Sequence, residues 1–249
     1  CFFHHKRECA SPIADRQSVL LAYLEIGCYG WRKKSAITRE VSIMVRVLGR
    51  ANSINVQKVM WIAAEIGLDI DRLDVGGAFG GNDKSDYLVK NPTGRVPTLE
   101  DGDFVLWESN SIVRYLAEKY GSAPWYPARI EDRYHASQWM DYYIATLHAH
   151  MTVIFWTLIR TKPEDRNQAA LDKAIAEANI GWAVVDTHLA NNPFMTGTAP
   201  TMGDVPLGCA AYRWHNLDVP RDDLPNLKRW YESLASRLAF QEHVMLPMT

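Results

Sequence analysis

The chain has 249 residues, a formal net charge of -2, 47% apolar residues and 22% charged residues. This composition is ordinary for a globular protein of one or two domains. The near-neutral charge gives no electrostatic case for nucleic acid or an anionic membrane as a partner. By inspection, no apolar run predicts a membrane-spanning helix.

The first forty residues differ from the rest of the chain. They contain three of the four cysteines, Cys1, Cys9 and Cys28, and they show no sustained hydrophobic period. We expect residues 1–40 to form a poorly ordered extension.

A strand, a helix and a second strand are predicted next. Residues 41–48 are apolar and β-branched, which predicts a buried strand. The helix after it ends near Gly67, and one face is marked by Val56, Val59, Met60 and Ala63. Residues 68–75 predict a second strand, parallel to the first because a crossover helix connects them. Residues 76–86 are glycine-rich and predict a loop around a short helix.

Residues 91–120 predict a hairpin followed by an amphipathic helix. The turn at Asp101-Gly102-Asp103 is short enough to join two antiparallel strands. Pro97 lacks an N–H group at the start of a strand, which leaves Val96 free to pair with something else. Glu108 and Ser109 open the helix and can receive an ammonium and a carboxylate. A second interpretation is that they only cap the helix.

These residues together resemble a known family. Val96-Pro97 followed by the run from Glu108 to Val113 is similar to the glutathione-binding half of the glutathione S-transferases, most closely the bacterial theta-like and beta-like members. The resemblance covers residues 44–249. It implies a cis Pro97, pairing of Val96 with the cysteinyl backbone of glutathione, and binding of the γ-glutamyl end by Glu108 and Ser109. It also implies a translation start near Met44.

The fold class follows from the order of the elements. We expect an α/β thioredoxin-like N-terminal domain at residues 41–120 and an all-α helical C-terminal domain at residues 129–249, joined by a linker at residues 121–128. Within the helical half, Pro163 is placed at a helix start, and Thr201 to Asp204 matches a capping box. The family resemblance suggests a homodimer.

The sulfur of glutathione needs a partner that stabilises its anion, because a free thiol has a pKa of about 8.5. Ser53, in the loop before the first helix, resembles the catalytic serine of theta-like members or the cysteine position of beta-like ones. Asn52 and Asn55 are further possible donors, and all three residues are also possible helix caps. The loop has no tyrosine, which argues against the tyrosine-type classes.

The remaining site residues are expectations of the same resemblance. Arg95 is expected to pair with the glycine carboxylate of glutathione, with Lys84 or Asn82 as weaker candidates and a solvated loop charge as the alternative. An electrophile pocket is expected between the two domains. Its candidates are Tyr143, Met151, Phe155, Trp156 and Tyr212. Each of these is also compatible with a core position.

Other chemistries find little support in the sequence. The chain has no CxxC pair and no GxSxG motif. His148 and His150 point to different helix faces and no HExxH occurs, so no metal site is expected. The few unpaired cysteines fit a reducing cytoplasm. We therefore predict a glutathione transferase with glutathione as co-substrate. The alternatives are a glutathione-dependent isomerase or dehalogenase and a non-catalytic interaction module.

Overall fold

The computed structural model describes residues 44–249, and the expected extension of residues 1–40 lies outside the described residues. The first part of the described chain is built on a sheet of order β2-β1-β3-β4. Its strands are β1 (Val45–Leu48), β2 (Ile70–Leu73), β3 (Thr98–Asp101) and β4 (Phe104–Trp107). β1 and β2 pair in parallel, whereas β1 with β3 and β3 with β4 pair antiparallel. The predicted crossover and hairpin are both present.

Three helices accompany this sheet. They are α1 (Ile54–Glu65), the short α2 (Ser85–Leu88) and α3 (Ser109–Lys119), with a 3-10 turn at Gly77–Phe79. α1 and α3 pack against each other. The order of strands and helices confirms the predicted thioredoxin-like half.

A long helix follows. α4 (Ile130–Tyr142) continues through a π-helical segment, Tyr143–Leu147, into α5 (His148–Phe155) and a second π-helical segment, Trp156–Arg160. This continuous helix has 31 residues, and one stretch of it has a mean hydropathy of 1.2. Its length and composition would therefore allow it to cross a membrane, contrary to the sequence expectation. A core helix of a globular protein meets the same criterion, so this is weak evidence for a membrane.

The other helices of the second half are α6 (Gln168–Leu189), α7 (Asp204–Asn216), α8 (Pro225–Ala235) and α9 (Leu238–His243). The fold class predicted from the sequence is therefore confirmed. The predicted helix start at Pro163 is wrong, because Pro163–Asp165 forms only a 3-10 turn. α6 begins later, where the side chain of Asn167 accepts a hydrogen bond from the N–H of Ala170.

The two halves meet along α1. The ring of Trp61 lies edge-on to those of Trp125 and Phe240, with ring centres 5.8 Å and 4.7 Å apart. A Cβ atom on Gly208 of α7 would lie 2.8 Å from the Trp61 ring, so only glycine allows this close approach. We propose a domain boundary in the connection between α3 and α4.

Asp204 holds the start of α7 in the core. Its carboxylate is fully buried and accepts hydrogen bonds from the N–H groups of Met195 and Thr201, the hydroxyl of Thr201 and the indole N–H of Trp230. The pairing of Thr201 with Asp204 agrees with the predicted capping box.

Asp204→Ala is expected to lower the free energy of unfolding by at least about 3 kcal/mol, because each buried donor left without an acceptor costs roughly 1–3 kcal/mol. Urea denaturation followed by circular dichroism measures this change. The exposed Asp172 of α6 provides a control, and Asp172→Ala should change stability by less than about 0.5 kcal/mol. Equal losses in the two variants would contradict this account of Asp204.

Candidate functional site

A cleft lies where the start of β3, the start of α3 and the long helix approach one another. Its lining combines residues from both halves of the chain: Asn55, Asn91, Thr93, Arg95, Val96, Pro97, Glu108, Ser109, Ile144 and His148. The structure thus brings together five of the six predicted glutathione-binding residues. Lys84 does not line this cleft and is exposed at the start of α2.

The segment before β3 presents its backbone to the cleft. The Val96-Pro97 peptide bond is cis. Among the described residues, the main-chain N–H and carbonyl groups of Val96 have no hydrogen-bond partner. An extended peptide can therefore pair with Val96 as an added strand.

Hydrogen bonds from Tyr87 and Asn91 hold this segment in place. The carbonyl of Arg95 accepts hydrogen bonds from Tyr87 Oη at 2.6 Å and from Asn91 Nδ2 at 2.8 Å. Asn91 Nδ2 also donates to Thr98 Oγ1, and Asn91 is buried. The Arg95 side chain remains exposed at the cleft. These hydrogen bonds hold the backbone of the loop, although Val96 has no strand partner among the described residues.

Glu108 and Ser109 stand at the start of α3 without capping it. Glu108 has a φ of 70°, in the left-handed region that non-glycine residues avoid, and no side-chain cap hydrogen bond is formed. Such a conformation costs on the order of 1–3 kcal/mol and is a feature of functional sites. Glu108 is exposed and Ser109 is 6% exposed, and both line the cleft. The interpretation that they only cap the helix therefore has no support in these contacts.

The three candidate thiol partners differ in what they contact. Ser53 precedes α1, is 8% exposed, and forms no side-chain cap hydrogen bond. Asn52 uses its amide Nδ2 to donate to Thr249 Oγ1 at 2.6 Å. Asn55 uses its carbonyl Oδ1 to accept from Lys58. The Ser53 hydroxyl is thus left available as a donor, as is the amide nitrogen of Asn55.

Lys58 is a site residue that the sequence interpretation missed. It is fully buried on α1, and its Nζ donates to Asn55 Oδ1 at 3.0 Å and lies 3.5 Å from Ser109 Oγ. The same nitrogen lies 4.6 Å from the centre of the Tyr143 ring. Burial lowers the pKa of Lys58 from its ordinary 10.5 to about 8, partly offset by Glu108. A desolvated cation therefore lies directly behind Asn55 and Ser109, two residues that line the cleft.

Four further residues that line the cleft were missed as site residues: Asn91, Thr93, Ile144 and His148. Tyr143 Oη and His148 Nδ1 are hydrogen bonded at 3.1 Å, and burial lowers the pKa of His148. From the sequence alone, His148 is a candidate only for metal binding together with His150. The described residues contain no group of three metal-binding side chains.

The candidates for an electrophile pocket are spread over two helices. On the long helix, Tyr143, Met151 and Phe155 are buried and Trp156 is exposed. On α7, Tyr212 donates from its hydroxyl to the carbonyl of Leu246 at 2.9 Å. None of these five lines the cleft described above, so their assignment to a pocket stays a prediction.

The sheet topology, the cis bond before β3 and the helical second half define a protein with a thioredoxin-like domain followed by an all-α domain. Two family models match the chain: the glutathione S-transferase N-terminal domain at residues 44–118 and the glutathione S-transferase C-terminal domain at residues 168–233.

Similar proteins agree with this assignment. Glutathione S-transferase GstB of Escherichia coli is 38% identical over 211 residues, which are 83% of this chain and 100% of that protein. The theta class glutathione S-transferase of Xanthomonas axonopodis pv. citri, solved with glutathione bound, matches with a TM-score of 0.80 at 41% identity, covering 82% of this chain and 99% of that one. Dichloromethane dehalogenase of Methylophilus leisingeri is 48% identical over 69 residues, 27% of this chain and 26% of that protein.

The chain therefore belongs to the glutathione S-transferase family. The prediction of a glutathione transferase, with glutathione as co-substrate, is confirmed.

The buried Lys58 predicts a pH-dependent stability. Between pH values of about 8 and 10.5 the unfolded chain binds a proton on Lys58 that the folded chain has lost, so stability rises with pH in this window. The full shift corresponds to roughly 3 kcal/mol. The free energy of unfolding in urea is measured at several pH values across this window for the parent protein and for Lys58→Met. The contribution of Lys58 is the difference between the two pH profiles. Parallel profiles would contradict the assignment.

Proposed function

We propose that the cleft holds glutathione and that the enzyme stabilises the glutathione thiolate, which attacks a small electrophile. The observation that carries this assignment is that the unpaired Val96 backbone and the Glu108 and Ser109 pair line one cleft, with the Lys58 ammonium directly behind Ser109. Each matches one part of the tripeptide: its backbone, its amino-acid head and its negative charge.

Recognition begins at the two ends of glutathione. The exposed Glu108 carboxylate is suited to the γ-glutamyl ammonium, and Ser109 Oγ and the N-terminus of α3 are suited to its carboxylate. Arg95 is exposed at the cleft and is suited to the glycine carboxylate. The support for these roles is position and charge.

Activation of the thiol requires preferential stabilisation of its anion. Lowering a thiol pKa by about 2 units takes roughly 2.7 kcal/mol. Ser53 supplies a hydroxyl that the helix cap does not use, and the fully buried Lys58 supplies a positive charge behind the cleft lining. Because Lys58 reaches Asn55 and Ser109 directly, we assign it a positioning role as well as an electrostatic one.

A glutathione-dependent dehalogenase is the second candidate function. The local similarity to dichloromethane dehalogenase favours it, although that similarity covers about a quarter of each chain. Both candidates use the same thiolate and differ in the electrophile. A non-catalytic module is disfavoured because a protein with no use for glutathione need not keep Pro97, Glu108 and Ser109 together at one cleft.

We also propose a homodimer acting in detoxification in the cytoplasm. Apolar side chains are exposed on β4, at Phe104 and Val105, and on the long helix, at Ile144 and Val153. Sedimentation velocity should give a species of twice the chain mass, and a single-chain species would refute the dimer. Recovery in a membrane or secreted fraction of the native host would refute the location.

The role of Ser53 is tested by titrating the bound glutathione thiol through its ultraviolet absorbance. In the parent protein the pKa is expected to fall well below that of free glutathione. Ser53→Ala should raise it by about 1–2 units, because a hydrogen bond to a charged group contributes roughly 1.5–3 kcal/mol.

The exposed Ser233 of α8 provides the control, and Ser233→Ala should leave the bound pKa unchanged. A depressed pKa that persists in Ser53→Ala would transfer the role to Asn55. Failure of the parent protein to bind glutathione would favour the non-catalytic module.

A further inference from the structure

Arg213 is a charged side chain that the glutathione site does not use. It lies on α7, is half-buried, and its guanidinium carbon is 3.8 Å from the centre of the Phe155 ring. Among residues 44–249 its guanidinium forms no ion pair and donates no hydrogen bond. The five N–H donors of this half-buried guanidinium therefore have no acceptor within the described chain.

Such a group is costly, since burying a charge without a partner disfavours the folded state. Burial lowers the pKa of Arg213 to about 10. Among its titratable neighbours, Tyr143 and Cys209 raise this pKa, whereas Arg160 and Arg50 lower it, and no carboxylate contributes. The potential around Arg213 is thus positive and attracts an anion.

A second guanidinium lies near the same ring. Arg160 has its guanidinium carbon 5.7 Å from the centre of Phe155 and 5.9 Å from that of Trp156. It donates to the main-chain oxygen of Thr249. Thr249 in turn contacts Asn52, next to Ser53, so this pair of arginines lies toward the loop that carries the candidate thiol donor.

Arg213 also lies close to the glutathione cleft. Phe155, the ring under Arg213, lies about two turns after the cleft-lining His148 on the same face of α5. In agreement with this position, the charge of Arg213 lowers the pKa of His148 and of the fully buried Lys58. Phe155 is one of the predicted electrophile residues, so Arg213 lies over a candidate for the electrophile pocket.

We propose that Arg213 binds the anionic group of the second substrate, which is a small organic halide that carries a carboxylate. This proposal rests on the proposed function. Guanidinium and carboxylate form paired, charge-assisted hydrogen bonds, which satisfy donors that have no acceptor in the described chain. In the reaction the thiolate sulfur attacks the carbon that bears the halogen. The carbon–sulfur bond forms, the carbon–halogen bond breaks, and halide leaves with the bonding electron pair; the thiol proton has already passed to solvent.

The test compares 4-chloro-3-nitrobenzoate with the uncharged 4-chloro-3-nitrobenzamide. Arg213→Met is expected to lower kcat/KM for the benzoate by at least about tenfold and to leave the benzamide within about twofold, as loss of a charge-assisted contact requires. Arg213→Lys, which keeps the charge, should retain part of the benzoate activity. Arg129→Met removes an exposed arginine at the start of α4 and should change neither substrate.

Equal losses for both substrates would overturn the proposal, because they indicate a structural role or a role toward the thiolate. Unchanged kcat/KM values in Arg213→Met would also overturn it. If Arg213→Met does not fold, the test uses the parent protein alone. The ratio of its kcat/KM for the benzoate to its kcat/KM for the benzamide must then fall with added salt. A ratio that does not change with salt counts against the proposal. Calorimetry with glutathione separates failure of the proposed function from failure of this inference. If the parent protein does not bind glutathione, the proposed function is wrong. If it binds glutathione but does not prefer the benzoate, only this inference is wrong.

Discussion

A buried ammonium joins the parts of this molecule that form the cleft proposed to hold glutathione. Lys58 extends from α1 to Ser109 at the start of α3 and lies over the ring of Tyr143 on the long helix, while Asn55 accepts its hydrogen bond. Removing an ammonium from water costs several kcal/mol, so its acceptors are held in place by the requirement to satisfy it. The orientation of Ser109 and Asn55 at the cleft depends on this single charge.

The distribution of charge on the chain is more informative than its sum. The net charge of -2 indicates no particular partner, yet Lys58 is fully buried behind the cleft lining and Arg213 is half-buried on α7. Charges in such surroundings act through a low effective dielectric, and their influence on a bound anion is larger than that of exposed lysines or arginines. Both substrates of the transferase are therefore expected to meet positive potential as they approach each other.

Most of the fold could be predicted from local patterns. The alternation of strands and helices, the hairpin turn at Gly102 and the start of α7 at Asp204 each depend on residues close in sequence. The start of α6 could not be predicted, because Pro163 forms a single 3-10 turn and the cap is Asn167.

The site was only partly predictable for a related reason. Val96, Pro97, Glu108 and Ser109 carry a recognisable motif, but Lys58 does not. The apolar stripe of α1 suggests one buried face, whereas the packing of α3, α7 and α9 around this helix also buries Gln57 and Lys58. Lys58 is the single charged residue between Arg50 and Glu65, and that isolation is the signal that would have identified it. The Arg213 position depends on tertiary packing and has no local signature.

The contact between Trp61 and Gly208 limits how this protein can be recombined with its relatives. The indole of Trp61 occupies the space where any residue other than glycine at position 208 would place its Cβ atom. A second contact pairs the Glu65 carboxylate with Arg237 of the helical half at 2.6 Å. A chimera that takes its thioredoxin-like half from this chain must also inherit a glycine at that place in α7. Exchange of intact halves between family members is therefore restricted to parents whose α1 and α7 match in shape.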